Sequence, residues 1–163
     1  MPTRSPHPVV LVAEDNQADV FMLERAFAQL GFICPVQYVG NGEEAIAYLS
    51  GHGRFANRSE YPLPDLLLLD LKMPRKNGFD VLEWIRKQPS LSRLRTVVLT
   101  TSELIYEVDR AYQLGAASFL TKPVIFNEFK DTIQSVYNYW LTMNKAPTLN
   151  RPSQEKEESN GNK

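Results

Sequence analysis

Residues 66–78 read LLLLDLKMPRKNG, a run of four leucines that ends abruptly at Asp70. A short, continuous apolar run bounded by turn residues is typical of a strand that is buried on both faces, as in a parallel sheet. Pro74 and Gly78 interrupt the chain just beyond the run and indicate a loop. Residues 66–69 are therefore predicted to form an inner strand with an acid at its carboxyl end.

The rest of the chain alternates apolar runs with segments of helical periodicity. The other predicted strands are 9–13, 36–39, 96–99 and 118–120. The helical patterns lie at 20–30, 43–49, 81–85, 103–114 and from about Asn127 onward. Five alternations of strand and helix predict a three-layer α/β fold with a central parallel sheet.

The composition is that of an ordinary globular domain. The chain has 163 residues, of which 43% are apolar and 23% are charged. A formal net charge of -1 excludes the strongly basic field that would hold nucleic acid. The single cysteine, Cys34, excludes an internal disulfide framework and a zinc site built from several cysteines.

The domain organisation predicted from the sequence is a flexible N-terminus at 1–7, one domain at 8–144 and a disordered polar tail at 145–163. No apolar run approaches the ~18–20 residues that a membrane span needs, and the N-terminus lacks the pattern of a signal peptide. We therefore expect a cytoplasmic protein that does not bind a membrane, with no output domain after the tail begins.

Chemistry-bearing side chains follow the carboxyl ends of four predicted strands. They are Glu14 and Asp15 after the first, Asp70 after the third, Thr100 at the fourth and Lys122 after the fifth. In an open α/β sheet, ligands bind in the crevice outside these ends. Crowded carboxylates need a cation, and a few of them with room for water and phosphate favour Mg²⁺. A lysine and a hydroxyl beside them suit phosphoryl oxygens, so the crevice is predicted to support phosphoryl transfer to a carboxylate.

Five motifs occur in order along the chain: Glu14-Asp15, Asp70-x-x-Met73-Pro74-x-x-x-Gly78, Thr100, Lys122 and the adjoining Pro123. Together, over about residues 9–144, they resemble the receiver domain of two-component response regulators, of the chemotaxis-regulator kind. The resemblance implies a flavodoxin-like, doubly wound (βα)5 fold with strand order 2-1-3-4-5.

The resemblance also implies roles for the acids. Asp70 would be the phosphoacceptor, and Mg²⁺ would be held by Glu14, Asp15, Asp70 and the backbone carbonyl of Lys72. Glu14 departs from the pattern, because many receivers have Asp there. Its longer side chain is expected to reach the metal ion through water.

The other implied roles concern the phosphoryl group and the switch. Lys122 would pair with the phosphoryl oxygens, and Thr100 would bind the phosphoryl group and move on activation, with Thr101 beside it. Phe119 stands where the family keeps a rotating aromatic side chain. The Lys122–Pro123 peptide bond is often cis in the family, which makes Pro123 a cis-peptide candidate.

Four further features are similar to the small single-domain response regulators partnered with phytochrome-type histidine kinases. They are the long loop at 50–64, Leu99-Thr100-Thr101-Ser102, Tyr112-x-Leu114-Gly115-Ala116 and Tyr139-Trp140-Leu141. The resemblance implies a phosphorelay signalling protein whose partner is a histidine kinase or phosphotransfer protein, of phytochrome type in the narrower match. It implies assisted self-phosphorylation and dephosphorylation rather than conventional enzyme activity.

The expected output is a change in protein contacts. The face formed by the fourth helix, the fifth strand and the last helix is predicted to change shape and to bind a partner or a second copy of the chain. Tyr139 and Met143 are expected to overhang that face. No nucleic-acid contact is expected.

Three alternatives belong to other classes. A phosphatase of the haloacid-dehalogenase type needs a second Asp two residues after the nucleophile, where this chain has Lys72. A nucleotide- or flavin-binding sheet needs a glycine-rich first turn, where this chain has residues 14–17, EDNQ. A pseudo-receiver that is never phosphorylated and acts only by binding stays open.

Overall fold

The computed structural model describes residues 7–143 as five strands and five α-helices in strict alternation. The strands are β1 Val10–Ala13, β2 Val36–Val39, β3 Leu66–Leu69, β4 Arg95–Thr100 and β5 Ser118–Thr121. The helices are α1 Gln17–Leu30, α2 Gly42–Ser50, α3 Gly78–Arg86, α4 Ile105–Gln113 and α5 Phe126–Val136. The predicted tail at 145–163 and most of the predicted flexible N-terminus lie outside the described residues, so those boundaries stay predictions.

All five strands are parallel and lie in the order β2-β1-β3-β4-β5, which confirms the predicted fold class and strand order. Ala13 pairs with Leu69 across β1 and β3, and Thr100 pairs with Thr121 across β4 and β5. The residues that follow the paired strands therefore meet at one edge of the sheet. The fold itself assembles the crevice that was inferred from the strand ends.

The sheet separates two apolar cores, because successive residues of a strand point to opposite faces. Leu11 and Leu67 face the side covered by α2, α3 and α4, whereas Val10 and Leu66 face the side covered by α1 and α5. Helices on both faces explain why β1 and β3 are apolar throughout instead of alternating. This is the three-layer arrangement that was predicted.

The prediction that the fourth helix starts at residue 103 is wrong by two residues. In the structure α4 begins at Ile105, after Leu104 in an extended conformation with ψ of 122°. The Ser102 hydroxyl donates a hydrogen bond to the Glu107 carboxylate instead of capping a helix that starts beside it. Ser102 thus bonds a side chain in the first turn of α4 from outside the helix.

The last helix changes its geometry after Val136. The chain continues from α5 as a π-helix over Tyr137–Met143, and the Tyr137 ring stacks on Phe32 at a centroid distance of 3.6 Å. Tyr139 is 53% exposed, as predicted, while the side chain of Met143 lies outside the described part of the chain. Of the helices described in residues 7–143, none is both long enough and apolar enough to cross a membrane.

The long loop at 50–64 is packed against α2. Phe55 is 4% exposed and lies between the Tyr48 and Tyr61 rings, at centroid distances of 5.1 and 5.2 Å. The Arg58 guanidinium donates hydrogen bonds to the backbone carbonyls of Tyr48, Leu49 and Tyr61. The loop therefore closes the carboxyl end of α2 and enters β3 at its amino end, at the sheet edge opposite Asp70.

Candidate functional site

The acids of the site stand at the ends of two paired central strands. The backbone N–H of Glu14 donates to the Val39 carbonyl, and that of Asp70 donates to the Ala13 carbonyl, each at 3.0 Å. These bonds continue the parallel ladder one residue past the strands and fix both side chains at the same edge. Glu14 is 4% exposed and Asp70 is 7% exposed, whereas Asp15 is exposed.

Lys122 is the cation that holds this group together. It follows β5, and its side-chain Nζ donates to three carboxylates: Glu14, Asp19 at 2.9 Å and Asp70 at 3.3 Å. The Lys122 side chain is 5% exposed, so the ammonium is almost fully removed from water. Its three hydrogens match three acceptors, which is the condition under which a buried charge is tolerated.

The protonation balance of the site reflects this crowding. Burial raises the pKa of Glu14 to about 7, its bond with Lys122 opposes that rise, and the neighbouring Asp70 charge adds to it. Burial alone would lower the pKa of Lys122, but its bonds with Glu14 and Asp19 and the Asp70 charge raise it above its usual range. Lys122 therefore stays charged beside the carboxylates.

The carboxylates also form an oxygen set for a divalent cation. Glu14, Asp15 and Asp70 each offer a carboxylate oxygen, and these atoms all lie within 4.8 Å of one another. Hard oxygen ligands with an exposed side open to water are the donor set that suits Mg²⁺. One ammonium faces the three carboxylates of Glu14, Asp19 and Asp70, which leaves an excess of acidic groups whose charge a cation would offset. The residues present therefore fit a magnesium ion.

The loop after β3 is held tightly beneath Asp70. A Cβ on Gly78 would lie 2.4 Å from the Asp70 backbone oxygen, so only glycine permits this approach. The Lys72 N–H points to Asp70 Oδ1 at 3.4 Å, and the Lys72 side chain is exposed. Lys72 thus lies at the rim of the site, and the ligand role of its carbonyl stays a prediction.

Thr100 lies at the end of β4 beside Lys122, whose backbone N–H donates to the Thr100 carbonyl at 2.7 Å, whereas Thr101 is exposed. Thr100 is fully buried at the end of β4, and its hydroxyl has no hydrogen-bond partner among the described residues. A buried hydroxyl without a partner is costly unless a ligand supplies one. This unused donor is the feature expected of a residue that binds an anionic oxygen. Thr101 is exposed, and its predicted role stays untested.

Phe119 lies in β5 and is partly buried against the core on the side of α2, α3 and α4. Its backbone N–H donates to the Tyr112 hydroxyl at 3.1 Å, which links β5 to α4. The predicted switch role of Phe119 and its rotation stay predictions.

The expectation of a cis peptide at Pro123 is wrong, because the Lys122–Pro123 bond is trans in the structure. The trans isomer of an X–Pro bond is intrinsically favoured by about 0.5–1 kcal/mol. The trans bond still places the Lys122 ammonium among the carboxylates, as the three contacts above show.

Asp19 is the site residue that the sequence reasoning missed. It lies in the first turn of α1, and its side chain is 25% exposed. The spacing from Asn16 to Asp19 is that of a helix N-cap pair, so in sequence it indicates only a local cap. Its contact with Lys122 joins residues 103 positions apart, which no local pattern encodes.

Comparison with known proteins places the chain in a family. Residues 10–134 match the response regulator receiver domain. A probable methanogenesis regulatory protein, FilR2 of Methanothrix harundinacea, is 37% identical over 85% of this chain and 87% of its own length. Response regulator Rcp1 of Synechocystis is 32% identical over 84% of this chain and 91% of its own length.

Solved structures give the same answer. The chain is similar to the phosphorylated cyanobacterial phytochrome response regulator RcpA, with 34% identity, a TM-score of 0.81 and coverage of 87% of this chain and 99% of that one. The Mn²⁺-bound form of Rcp1 matches with 31% identity, a TM-score of 0.79 and coverage of 86% and 99%. With the family match spanning most of the chain, the protein belongs to the response regulator receiver domains of two-component signalling, and its close relatives include phytochrome response regulators.

Proposed function

We propose that this receiver domain accepts a phosphoryl group on Asp70 and passes a signal through protein contacts. The observation that carries the proposal is the Asp70 carboxylate itself, buried at the end of the central strand and contacted by the Lys122 ammonium. The Thr100 hydroxyl, which has no hydrogen-bond partner within the described part of the chain, would supply a donor for an incoming phosphoryl oxygen. Because the phosphoryl group would be transferred directly to Asp70, the proposal requires no separate pocket for a small-molecule substrate.

The proposed step is a direct transfer. A carboxylate oxygen of Asp70 forms a new bond to phosphorus, while the bond from phosphorus to the donor breaks and its electron pair leaves with the donor. For a phosphohistidine donor, the leaving atom is an imidazole nitrogen. Attack of water on phosphorus later releases inorganic phosphate and restores the Asp70 carboxylate. The domain would assist both steps by positioning, without turning over as a conventional enzyme.

Mg²⁺ is the proposed cofactor. Glu14, Asp15, Asp70 and the Lys72 carbonyl would hold it, and when bound it supplies the positive charge that lets an anionic donor approach the acids. The name of the relative that was solved with Mn²⁺ supports a divalent cation in this fold. Lys122 and Thr100 would then donate hydrogen bonds to phosphoryl oxygens.

The proposed donor is a histidine kinase or a phosphotransfer protein. The name of RcpA, a cyanobacterial phytochrome response regulator, favours a phytochrome-type kinase. The FilR2 relative is named a probable methanogenesis regulatory protein. Assignment to one kinase follows from measured transfer between purified partners. The cytoplasmic location expected from the sequence stays a prediction.

The proposed output surface is the face of α4, β5 and α5. Several apolar side chains in α4 and in the loop between β5 and α5 are exposed, among them Ile105 at 78% and Val124 at 94%. The hydrogen bond from the Phe119 N–H to the Tyr112 hydroxyl joins β5 to α4 within this face, and Lys122 directly follows β5. Homodimer formation through this face is tested by light scattering with and without beryllofluoride, and an unchanged monomer mass would contradict the dimer.

The experiment that tests the proposal is covalent labelling by acetyl phosphate and Mg²⁺, followed by mass spectrometry of the intact chain. The wild-type chain is expected to gain one phosphoryl group, and Asp70→Asn none, because the amide cannot form the acyl phosphate. Asp80→Asn, a change in an exposed acid at the start of α3, is the matched control and should be labelled normally. Excess chelator should abolish labelling of the wild type. Normal labelling of Asp70→Asn would refute the acceptor, and normal labelling in chelator would refute the magnesium requirement.

A further inference from the structure

Lys122 has a third carboxylate partner outside the set that could hold a metal. Glu14 and Asp70 belong to that set, whereas Asp19 does not. Asp19 reaches the ammonium from α1, with Oδ2 at 2.9 Å from Nζ, a shorter contact than the 3.3 Å of Asp70. The Asp19 carboxylate therefore contacts the site through Lys122.

The proposed chemistry draws the other two partners away from Lys122. A metal ion would compete for the Glu14 carboxylate, and formation of the acyl phosphate converts one Asp70 carboxylate oxygen into the oxygen bonded to phosphorus. Both events leave the Lys122 ammonium with fewer acceptors at the moment when it must meet a phosphoryl oxygen. Asp19 is the partner that neither event removes.

Hydrogen bonds at the start of α1 leave the Asp19 carboxylate available to bind Lys122. The Asp19 backbone N–H donates to the Asn16 side chain at 3.1 Å, which fixes the residue in the first turn. The Asn16 N–H donates to Glu14 Oε1 at 3.1 Å, so the helix does not need the Asp19 carboxylate as a cap. The carboxylate is thereby free to face Lys122, while its partial exposure keeps its desolvation modest.

We propose that Asp19 is a positioning residue for phosphoryl transfer: it holds the Lys122 ammonium in place while Glu14 turns to the cation and Asp70 is esterified. The inference rests on the proposed function, because it concerns the same transfer to Asp70. Asp19 touches neither the phosphoryl group nor the metal ion in this account. Its contribution is the placement of one charge.

The test measures beryllofluoride binding by calorimetry at saturating Mg²⁺, together with the rate of labelling by acetyl phosphate. Removing a hydrogen bond between charged groups is expected to weaken beryllofluoride binding about tenfold in Asp19→Ala. Asp19→Asn keeps the shape and an acceptor oxygen, so its loss should be smaller, and it replaces Asp19→Ala if that variant does not fold. Asp80→Ala removes an acid at the same helix position of α3 and should bind as the wild type does.

A double-mutant cycle with Lys122→Ala separates positioning from a structural role. If Asp19 acts through Lys122, Asp19→Ala should have less than about a twofold effect once the lysine is absent. An equal loss in both backgrounds, or no loss in either Asp19 variant, would overturn the inference. If the wild type itself neither binds beryllofluoride nor becomes labelled, the proposed function fails and the inference falls with it.

Discussion

Helices α1 and α3 begin with the same local pattern and use it differently. Each starts after an asparagine whose side chain accepts from the backbone N–H three residues on, Asn16 from Asp19 and Asn77 from Asp80. In α3, Asp80 Oδ2 accepts from the Asn77 N–H at 2.9 Å, which closes a reciprocal capping box. In α1 the aspartate turns away from the cap to Lys122 instead.

The difference shows how a residue at a helix start can serve the functional site instead of capping its helix. Glu14 accepts from the Asn16 N–H and so replaces the acid that would have closed the box. The ammonium that Asp19 meets, that of Lys122, is buried. The ion pair of α3 joins Lys87 to Glu83 at 3.4 Å, at the carboxyl end of that helix, and both side chains are mostly exposed. The surroundings, not the local pattern, decide which bond the aspartate makes.

The largest expected effect comes from removing the buried lysine, Lys122, and the exposed Lys87 serves as the comparison. Lys122→Met should lower the free energy of unfolding by about 3 kcal/mol, because it leaves Glu14 and Asp70 buried beside each other without their cation. Lys87→Met should change it by less than about 0.5 kcal/mol, since the pair with Glu83 is screened by water. Urea denaturation without divalent cations measures both. Equal losses would show that burial does not distinguish the two ion pairs.

The second comparison is between two substitutions at the first residue of each helix, directly after the asparagine cap. Gly78→Ala should cost about 1–3 kcal/mol, because its Cβ would meet the Asp70 backbone oxygen at 2.4 Å and force the loop to move. Gln17→Ala, the matching change in α1, is expected to stay within about 0.5 kcal/mol, since Gln17 is exposed and already carries a Cβ. Thermal unfolding of the two variants measures the contrast. A Gly78→Ala variant as stable as the wild type would show that the close approach is not required.

The asparagine caps themselves should behave alike. Asn16→Ala and Asn77→Ala each remove an acceptor for a first-turn backbone N–H, and each is expected to cost about 1 kcal/mol. Urea denaturation of both variants provides the comparison. A much larger loss for Asn16→Ala would mean that its cap is tied to the site as well as to the helix.

The smallest expected effect concerns hydrogen exchange at two single backbone amides, those of Asn16 and Asn77. Asp80→Ala should speed hydrogen exchange at the Asn77 N–H, with a loss of about 0.5–1 kcal/mol, because that donor loses its acceptor. Asp19→Ala should leave the Asn16 N–H protected, because Glu14 remains its acceptor. Amide exchange followed by NMR reads both sites. Faster exchange at Asn16 in Asp19→Ala would show that the α1 cap does depend on its aspartate.

The fold and most of the acids followed from local patterns. The leucine run before Asp70 and the apolar run before Glu14 predicted inner strands, and parallel pairing then required their acids to share an edge. The register of Ala13 with Leu69 bears that out. The start of α4 and the trans bond before Pro123 did not follow, because both depend on competing conformations that are close in free energy.

The amino-acid order alone therefore carried the alternation of strands and helices and the strand ends at which Glu14, Asp70 and Lys122 stand. These features repeat at short range, through side-chain periodicity and turn residues, so they can be read along the chain. The choice of Lys122 as the partner of Asp19 belongs to the folded molecule. It arises only when α1 and the end of β5 meet in the folded chain. Burial then makes it costly to leave the Lys122 ammonium without carboxylate partners.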